Sequence, residues 1–207
     1  MKYTGPKFRL CRREWINLFG VPKYDIRKRR KLPGQHGWNI ARLSEYGKLL
    51  RNKQVLKRMY LLSEKQFRRI VVDLAGKLSK NKNIDYDKAI VMLLESRLDA
   101  VVLRAWFAKT IMQARQIVNH GHFLLNWKKH NIPSYLVKPG DVITLKEKYK
   151  TSPLYADLPL MDSNFKLPSW LKVDKEKFQI EVVDMPKPEE INLPVDILKV
   201  IEFYARA

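Results

Sequence analysis

The stretch "LLESRLDAVVLRAWFAKTIMQARQIVNHGHFLLNWKKHNIPSYLVKPGDVITLKEK", Leu93 to Lys148, decides the fold. Its first half reads as two helices and its second half as short strands. The first helix carries Arg97 and Arg104 away from its apolar face. The second starts near Lys109, with Thr110 as a plausible N-cap, and buries Ile111, Ala114, Ile117 and Val118. Its polar side offers Gln113, Arg115, Gln116 and Asn119, and Gly121 ends it as a C′ glycine does. "HFLLNW", "PSYLV" and "VITLK" follow as strands, separated by the turn-like "KKHN" and by "KPGD". Pro at the second position and Gly at the third make "KPGD" suited to a type II turn. Two helices and three short strands form a small α/β platform. Arg97, Arg104, Gln113, Arg115, Gln116, Asn119 and His120 supply guanidinium forks, amides and an imidazole, the groups that grip phosphates and base edges. Such residues are also common on solvated surfaces.

Charge narrows the choice of partner. The chain holds 41 Lys and Arg against 21 Asp and Glu, a net +20, with 45% hydrophobic residues. That hydrophobic fraction supports a folded chain, and that charge points to a polyanion. The basic residues are uneven: residues 1–60 hold 17 Lys and Arg against 3 Asp and Glu, a net +14. Residues 61–92 add +3 and residues 93–150 add +6, whereas residues 151–207 contribute −3. A membrane surface is the weaker reading, because Pro and Gly interrupt the basic segment too often for an amphipathic helix. No window reaches the length of an apolar span, and the N-terminus carries no signal-peptide core. One cysteine excludes an intramolecular disulfide, so a reducing compartment, the cytoplasm, is expected.

Residues 1–43 read as an irregular basic arm. Lys7, Arg9, Arg12, Arg13, Arg27, Lys28, Arg29, Arg30, Lys31 and Arg42 are its cations, broken by Gly5-Pro6, Gly20 to Pro22 and Pro33-Gly34. Tyr3, Phe8, Trp15, Phe19, Tyr24 and Trp38 suit packing on a fold or stacking on bases, with packing favoured.

From Ser44 the texture becomes helical. Ser44 caps one helix, whose face carries Leu49, Leu50, Lys53, Leu56, Met59 and Tyr60. Ser63 and Gln66 form a capping box ahead of Phe67, Ile70, Val71, Leu74 and Leu78. A third segment, "DYDKAIVMLLESRLDAVVLRAWF", can start at Asp85. Arg51, Lys53, Lys57 and Arg58 join the candidate RNA-binding cations. The C-terminal part reads as a strand ("KFQIEVVDMP") and a closing helix ("VDILKVIEFYA") with Ile197, Val200, Ile201 and Tyr204 on its apolar face.

"LLESRLDAVV", "QARQIVNHGH" and "VKPGD" resemble the RNA-binding module named after the fourth protein of the small ribosomal subunit. "YTGPKFRLCRRE", "LPGQHG", "SEYGKLLRNKQVLKRMYLLSEKQFRR" and "LPVDILKVIEFYAR" extend the resemblance, in order, across nearly the whole chain. The chain therefore resembles the bacterial family of small-subunit ribosomal protein four. The resemblance implies an α+β fold: the basic arm 1–43, a helical domain 44–94 completed by the C-terminal helix 194–207, and an inserted RNA-binding module 95–185. It implies a primary binder of small-subunit (16S-type) ribosomal RNA that nucleates assembly of the 5′ domain and supports translational fidelity. It also implies contacts with small-subunit protein five and other small-subunit proteins, a place near the mRNA entry channel and, in some bacteria, repression of its own message. In "LPGQHG", Gln35 and His36 can donate to phosphate or ribose, or can cap a tight turn facing solvent. The basic neighbours and the resemblance favour RNA contact.

No P-loop, G-x-G-x-x-G, H-E-x-x-H or G-x-S-x-G is present, so no catalytic residue and no cofactor is expected. Two alternatives use the same module: an RNA-modifying enzyme, and an RNA-binding protein of stalled ribosomes. The first needs a separate catalytic domain, and the second lacks the arm and helical block. Some members of the resembled family hold zinc through four cysteines, the first two at the positions of Phe8 and Cys11. Here "YDIRKRRK" lacks the second pair, and Cys11 with Asp25 and His36 falls short of a tetrahedral zinc set, so no metal is expected. Arg12 and Arg13 beside Cys11 favour its thiolate, and Phe8 and Trp15 are expected to hold the arm by aromatic packing.

Overall fold

A computed structural model describes residues 3–28, 31–38, 42–155 and 167–206. The chain divides into two compact units, residues 1–87 with 192–207, and residues 88–191.

The first unit is helical. α1 (Lys7–Glu14) lies inside the segment read as irregular. It forms because Cys11 and Glu14 share a buried face, and it stops where Trp15 adopts a left-handed conformation, φ 55°. Phe8 stacks on Tyr24 at 6.2 Å and Phe19 meets Tyr24 edge-on at 6.2 Å, so the arm is packed by aromatics. Trp15 takes no part in that burial: it is 45% exposed, because the left-handed turn swings it out of the helical face.

α2 (Glu45–Met59) begins where the Ser44 hydroxyl accepts the Gly47 N–H at 3.2 Å, and it buries Leu49, Lys53, Val55 and Leu56. α3 (Glu64–Arg68) opens on the Ser63–Gln66 capping box and runs through a π-helical stretch, Arg69–Leu74, into α4 (Ala75–Lys82). Of the expected stripe, Phe67, Ile70 and Val71 are buried, while Leu74 and Leu78 are only half-buried. The π turn shifts the phase of the face, and the Val71 carbonyl within it accepts the Tyr86 hydroxyl. The final helix of the chain, Ile197–Ala205, packs back on α2 through Val200 and Phe203.

The second unit is a sheet covered by helices. α5 (Tyr86–Glu95) and α6 (Leu98–Arg104) were expected as one segment, but Ser96 and Arg97 part them. The cause is a backbone exchange with residues 133–137. Leu98 N–H donates to Tyr135 C=O (2.8 Å), Asp99 N–H to Pro133 C=O (3.2 Å) and Val137 N–H to Ser96 C=O (2.8 Å). "PSYLV" is therefore no strand of the sheet; its hydrogen bonds go to the helix junction, with one bridge between Arg97 and Leu136. α7 (Ile111–Asn119) starts at Thr110, whose hydroxyl accepts the Gln113 N–H at 3.2 Å. It ends in a Schellman pair, Gly121 N–H to Val118 C=O and His122 N–H to Ile117 C=O, with Gly121 at φ 68°.

The antiparallel sheet has the order β2-β1-β3-β5-β4. Its strands are β1 (Phe123–Leu125), β2 (Lys128–Lys129), β3 (Val142–Leu145), β4 (Leu171–Asp174) and β5 (Gln179–Val182). Lys128 and Lys129, expected in a turn, are strand residues because the hairpin closes earlier, at Asn126-Trp127. "KPGD" makes the type II turn: Asp141 N–H donates to Lys138 C=O at 3.0 Å and Gly140 has φ 88°. The period-2 pattern of β1, β3 and β5 turns Phe123, Leu125, Ile143, Leu145, Ile180 and Val182 onto Leu98, Val101, Val102, Ala114 and Val118. Tyr155 and Trp170, both fully buried, complete this core. A short helix, α8 (Glu147–Lys150), follows β3, and the C-terminal helix is α9.

Candidate nucleic-acid interface

In the second unit the capping of α7 fixes which residues face out. With Ile111, Ala114, Ile117 and Val118 turned inward, Gln116, Asn119 and His120 are exposed and Arg115 is half-buried. Gln113 is partly occupied at the cap, its side-chain oxygen accepting the Lys109 N–H at 2.8 Å. Burial pulls the Arg115 guanidinium below its usual range; Asp99 opposes that pull and Arg97 adds to it. His122, one turn beyond the helix, stacks on Tyr149 at 3.8 Å and its Nδ1 lies 2.9 Å from the Tyr155 hydroxyl. Burial, with positive charge nearby, pushes His122 below its ordinary range, and its contacts are those of a packing group between Tyr149 and Tyr155. Lys146 donates to the Gly121 carbonyl, fixing an ammonium at the end of α7.

Arg97 and Arg104 do not project from the first helix as expected. Arg97 caps α6 in extended conformation, its side chain is 4% exposed, and its Nε and Nη2 hold both Asp99 oxygens at 3.0 and 2.7 Å. A guanidinium so placed orders the α5–α6 junction and cannot reach a phosphate. Arg104 holds both oxygens of the fully buried Glu95 at 2.8 and 2.6 Å, with 36% of its side chain exposed. The spacing of residues could not show this, because the carboxylates that draw both arginines inward come from a helix break that periodicity did not reveal.

In the first unit the cations divide in the same way. Arg9, Arg13, Arg27, Gln35, His36 and Arg42 are exposed, and Lys7, Arg12 and Lys31 are half-buried. Arg12 donates from Nε to Lys31 C=O (2.7 Å) and from Nη2 to Leu32 C=O (2.9 Å), tying the "LPGQHG" turn to α1. The turn closes by Leu32 N–H to Gly37 C=O at 3.2 Å. A Cβ at Gly37 would sit 2.1 Å from the Leu32 carbonyl, so only glycine fits, and the turn presents Gln35 and His36 outward.

Lys53 is buried at 6% exposure, pairs with Glu64 at 2.8 Å and lies 4.2 Å from the Phe203 ring centre. It belongs to the α2–α9 contact. Lys57 reaches the same carboxylate at 2.8 Å. Arg51, at 3.1 Å, and Arg58 both pair with the buried Glu14, locking α1 on α2. These four cations, expected at an RNA surface, are paired with carboxylates of the same unit, the buried Glu14 and the partly exposed Glu64. Arg29 and Arg30 lie outside the described residues, as does the side chain of Lys28.

Cys11 is fully buried, and burial pushes its thiol up, against the thiolate that Arg12 and Arg13 suggested. Among the described residues no group of three or more His, Cys, Asp or Glu side chains is placed to hold a metal. No described helix is long and apolar enough to cross a membrane.

Residues 2–93 match the family model for the ribosomal protein S4/S9 N-terminal domain, and residues 96–143 match the S4 domain. The chain is 42% identical over 211 residues to the small ribosomal subunit protein uS4 of Kosmotoga olearia, covering 99% of both chains. The chain belongs to the uS4 family. The same protein of Thermotoga petrophila is 42% identical over 212 residues, and that of a Thermoanaerobacter species 41% over 211 residues, again with 99% of both chains covered. The S4 domain match spans α6, α7 and the β1–β2 hairpin and ends within β3, so the family's shared module holds the exposed face of α7.

Proposed function

We propose that the chain is a structural protein of the small ribosomal subunit that binds small-subunit ribosomal RNA and acts where the ribosome acts, in the cytoplasm. One observation carries this reading: the end-to-end likeness to uS4 proteins, in a chain of net +20. The family is not an enzyme family, and the alternative of an RNA-modifying enzyme with the same module is not favoured.

Three finer assignments belong to this reading. RNA contact in the module, residues 95–185, falls to Arg115, Gln116, Asn119 and His120, which share one side of α7 and its end. In the arm, residues 1–43, it falls to the exposed Arg9, Arg13, Arg27 and Arg42 and to Gln35 and His36 on the turn that Arg12 holds. The helical domain, residues 44–94 with 194–207, is a scaffold for that arm. Contact with small-subunit protein five, a place near the mRNA entry channel, early assembly of the 5′ domain and support of decoding fidelity complete the proposal, on family grounds.

Crosslinking the full chain to total cellular RNA, followed by sequencing, tests the class. Fragments of small-subunit ribosomal RNA are expected; fragments of transfer RNA or large-subunit RNA overturn it. The triple substitution Gln116→Ala, Asn119→Ala, His120→Ala is expected to weaken binding by about 1–3 kcal/mol per good contact, with the thermal midpoint unchanged.

A further inference from the structure

The β1–β2 hairpin turns on two residues, Asn126 and Trp127, between the paired Leu125 and Lys128. Both have positive φ, 47° and 62°, which is the type I′ geometry. Asn suits the first position. The second favours glycine, because any Cβ crowds the backbone there. This chain places its bulkiest side chain at that position and leaves it 75% exposed. A folding role does not explain the choice, since a side chain in solvent adds no core and the backbone would be easier with glycine.

The mount beneath the indole is stiff. Asn126 N–H donates to Val142 C=O (2.8 Å), and the Asn126 side-chain oxygen accepts the Val142 N–H (2.9 Å). Its Nδ2 donates to Asp141 Oδ1 (2.9 Å), and Asp141 Oδ2 accepts the Lys138 N–H (2.8 Å). The hairpin tip is thus tied to the start of β3 and to the end of the type II turn by three hydrogen bonds, and the fourth braces that turn. A fixed aromatic loses little freedom when a ligand stacks on it.

The surroundings are basic. Lys128, Lys129 and Lys138 are all exposed, the Asp141 carboxylate is buried in the mount, and the exposed Glu181 stands opposite Val142 on the neighbouring strand. Lys129 runs back toward α7: a Cβ at Gly121 would lie 3.5 Å from its Cε and 3.6 Å from the Lys146 Nζ. The hairpin therefore continues, within the same unit, the exposed end of α7 that carries Asn119 and His120.

We infer that Trp127 is a stacking finger for an unpaired nucleotide of the bound RNA, with Lys128, Lys129 and Lys138 on the flanking phosphates. An indole offers a flat face to any base, and ammonium groups beside it neutralise the backbone on either side. A continuous A-form stem presents no free base face, so the ligand is a loop, bulge or frayed end. A protein pocket for the same indole would have to face three lysines at its rim. The inference rests on the ribosomal RNA reading above and adds a contact to it.

The test uses the full chain, transcribed small-subunit ribosomal RNA, and two variants. Trp127→Gly relieves the positive φ, so its thermal midpoint is expected to hold or rise while RNA affinity falls about 5- to 100-fold. Trp127→Phe keeps a ring and is expected to stay within about 3-fold of the parent. Ultraviolet crosslinking of the parent complex should place Trp127 on an unpaired nucleotide. Parent-like affinity of Trp127→Gly, with the parent protein binding normally, overturns the stacking finger and leaves the RNA reading intact. Loss of another small-subunit protein from reconstituted particles, with RNA affinity unchanged, also overturns it in favour of a protein contact. Failure of the parent itself to bind the RNA overturns the underlying reading instead.

Discussion

Arg97 shows what a single residue can hide. On composition it is one more cation in a basic chain; in the fold its guanidinium holds a carboxylate inside the second unit. Burial pushes the Asp99 carboxyl up, and the Arg97 fork with the Ala100 N–H (3.0 Å) works against that push. Removing one partner leaves the other buried and uncompensated, which costs about 3–5 kcal/mol. Asp99→Asn is accordingly expected to lower the unfolding free energy by that amount, read from urea titration. The pair Arg97→Met with Asp99→Leu should recover most of the loss, because well-packed apolar groups replace buried ion pairs at little cost. A phosphate-binding arginine would behave otherwise: its variant would lose affinity for RNA and keep its stability.

At the scale of elements, α9 docks on α2 and α3 through one polar knot. Glu64 accepts from Lys53 (2.8 Å), Lys57 (2.8 Å) and the Tyr204 hydroxyl (2.7 Å), while Tyr46 lies 5.6 Å from Phe203 and Phe67 lies 6.2 Å from Tyr204. Burial acts to raise the Glu64 carboxyl, but hydrogen bonds from Lys53, Lys57 and Tyr204 outweigh it and hold the group at about 2. Burial, and then the Glu64 carboxylate, push Tyr204 up. A carboxylate whose folded value lies below its unfolded one stabilises the fold above the unfolded value. That contribution is complete above about pH 5 and is lost as pH falls toward 2. Since the Glu64 side chain is 46% exposed, solvent screening reduces the gain to about 1 kcal/mol. Amide exchange in α9 should therefore speed up between pH 5 and 3 relative to α2, and Glu64→Gln should flatten that dependence. An α9 equally protected at both pH values in the parent would contradict the role given to Glu64.

At the scale of the whole molecule, charge organises function. Residues 1–60 carry +14 of the net +20, yet Arg51, Lys53, Lys57 and Arg58 within them are paired with Glu14 and Glu64 of the same unit. The phosphate-neutralising set is thus smaller than composition suggests. If six or more phosphates are neutralised, affinity for small-subunit ribosomal RNA should fall on the order of 10³-fold or more between 50 and 200 mM salt. Filter binding across that range measures the slope, and a flat line would exclude phosphate neutralisation as the source of affinity. Arg51→Ala should leave the slope unchanged while lowering stability, whereas Arg13→Ala should reduce the slope by about 1.

The sequence by itself determined the fold class, the two helices and the type II turn of the module, the helix caps at Ser44, Ser63 and Thr110, and the family. Each of these is local: a cap, a turn or a stripe reports on neighbours a few residues away, and an ordered set of such signals is specific. It also gave Phe8 and Trp15 as the aromatics that hold the arm: Phe8 does pack, on Tyr24, but Trp15 is exposed, and α1 itself was hidden by the surrounding Gly and Pro. Only the tertiary structure decided the break at Ser96-Arg97, the pairing of "PSYLV" with that break, the strand at Leu171–Asp174 and the burial of Lys53 and Arg97. It also put Trp127 on a positive-φ tip in solvent. The break depends on backbone partners at Tyr135, Leu136 and Val137 and the burial of Lys53 on Phe203 in α9, while Arg97 meets an acid only two residues on, Asp99, because that break turns both inward; spacing along a chain carries no record of which distant backbone group or ring will make such a junction.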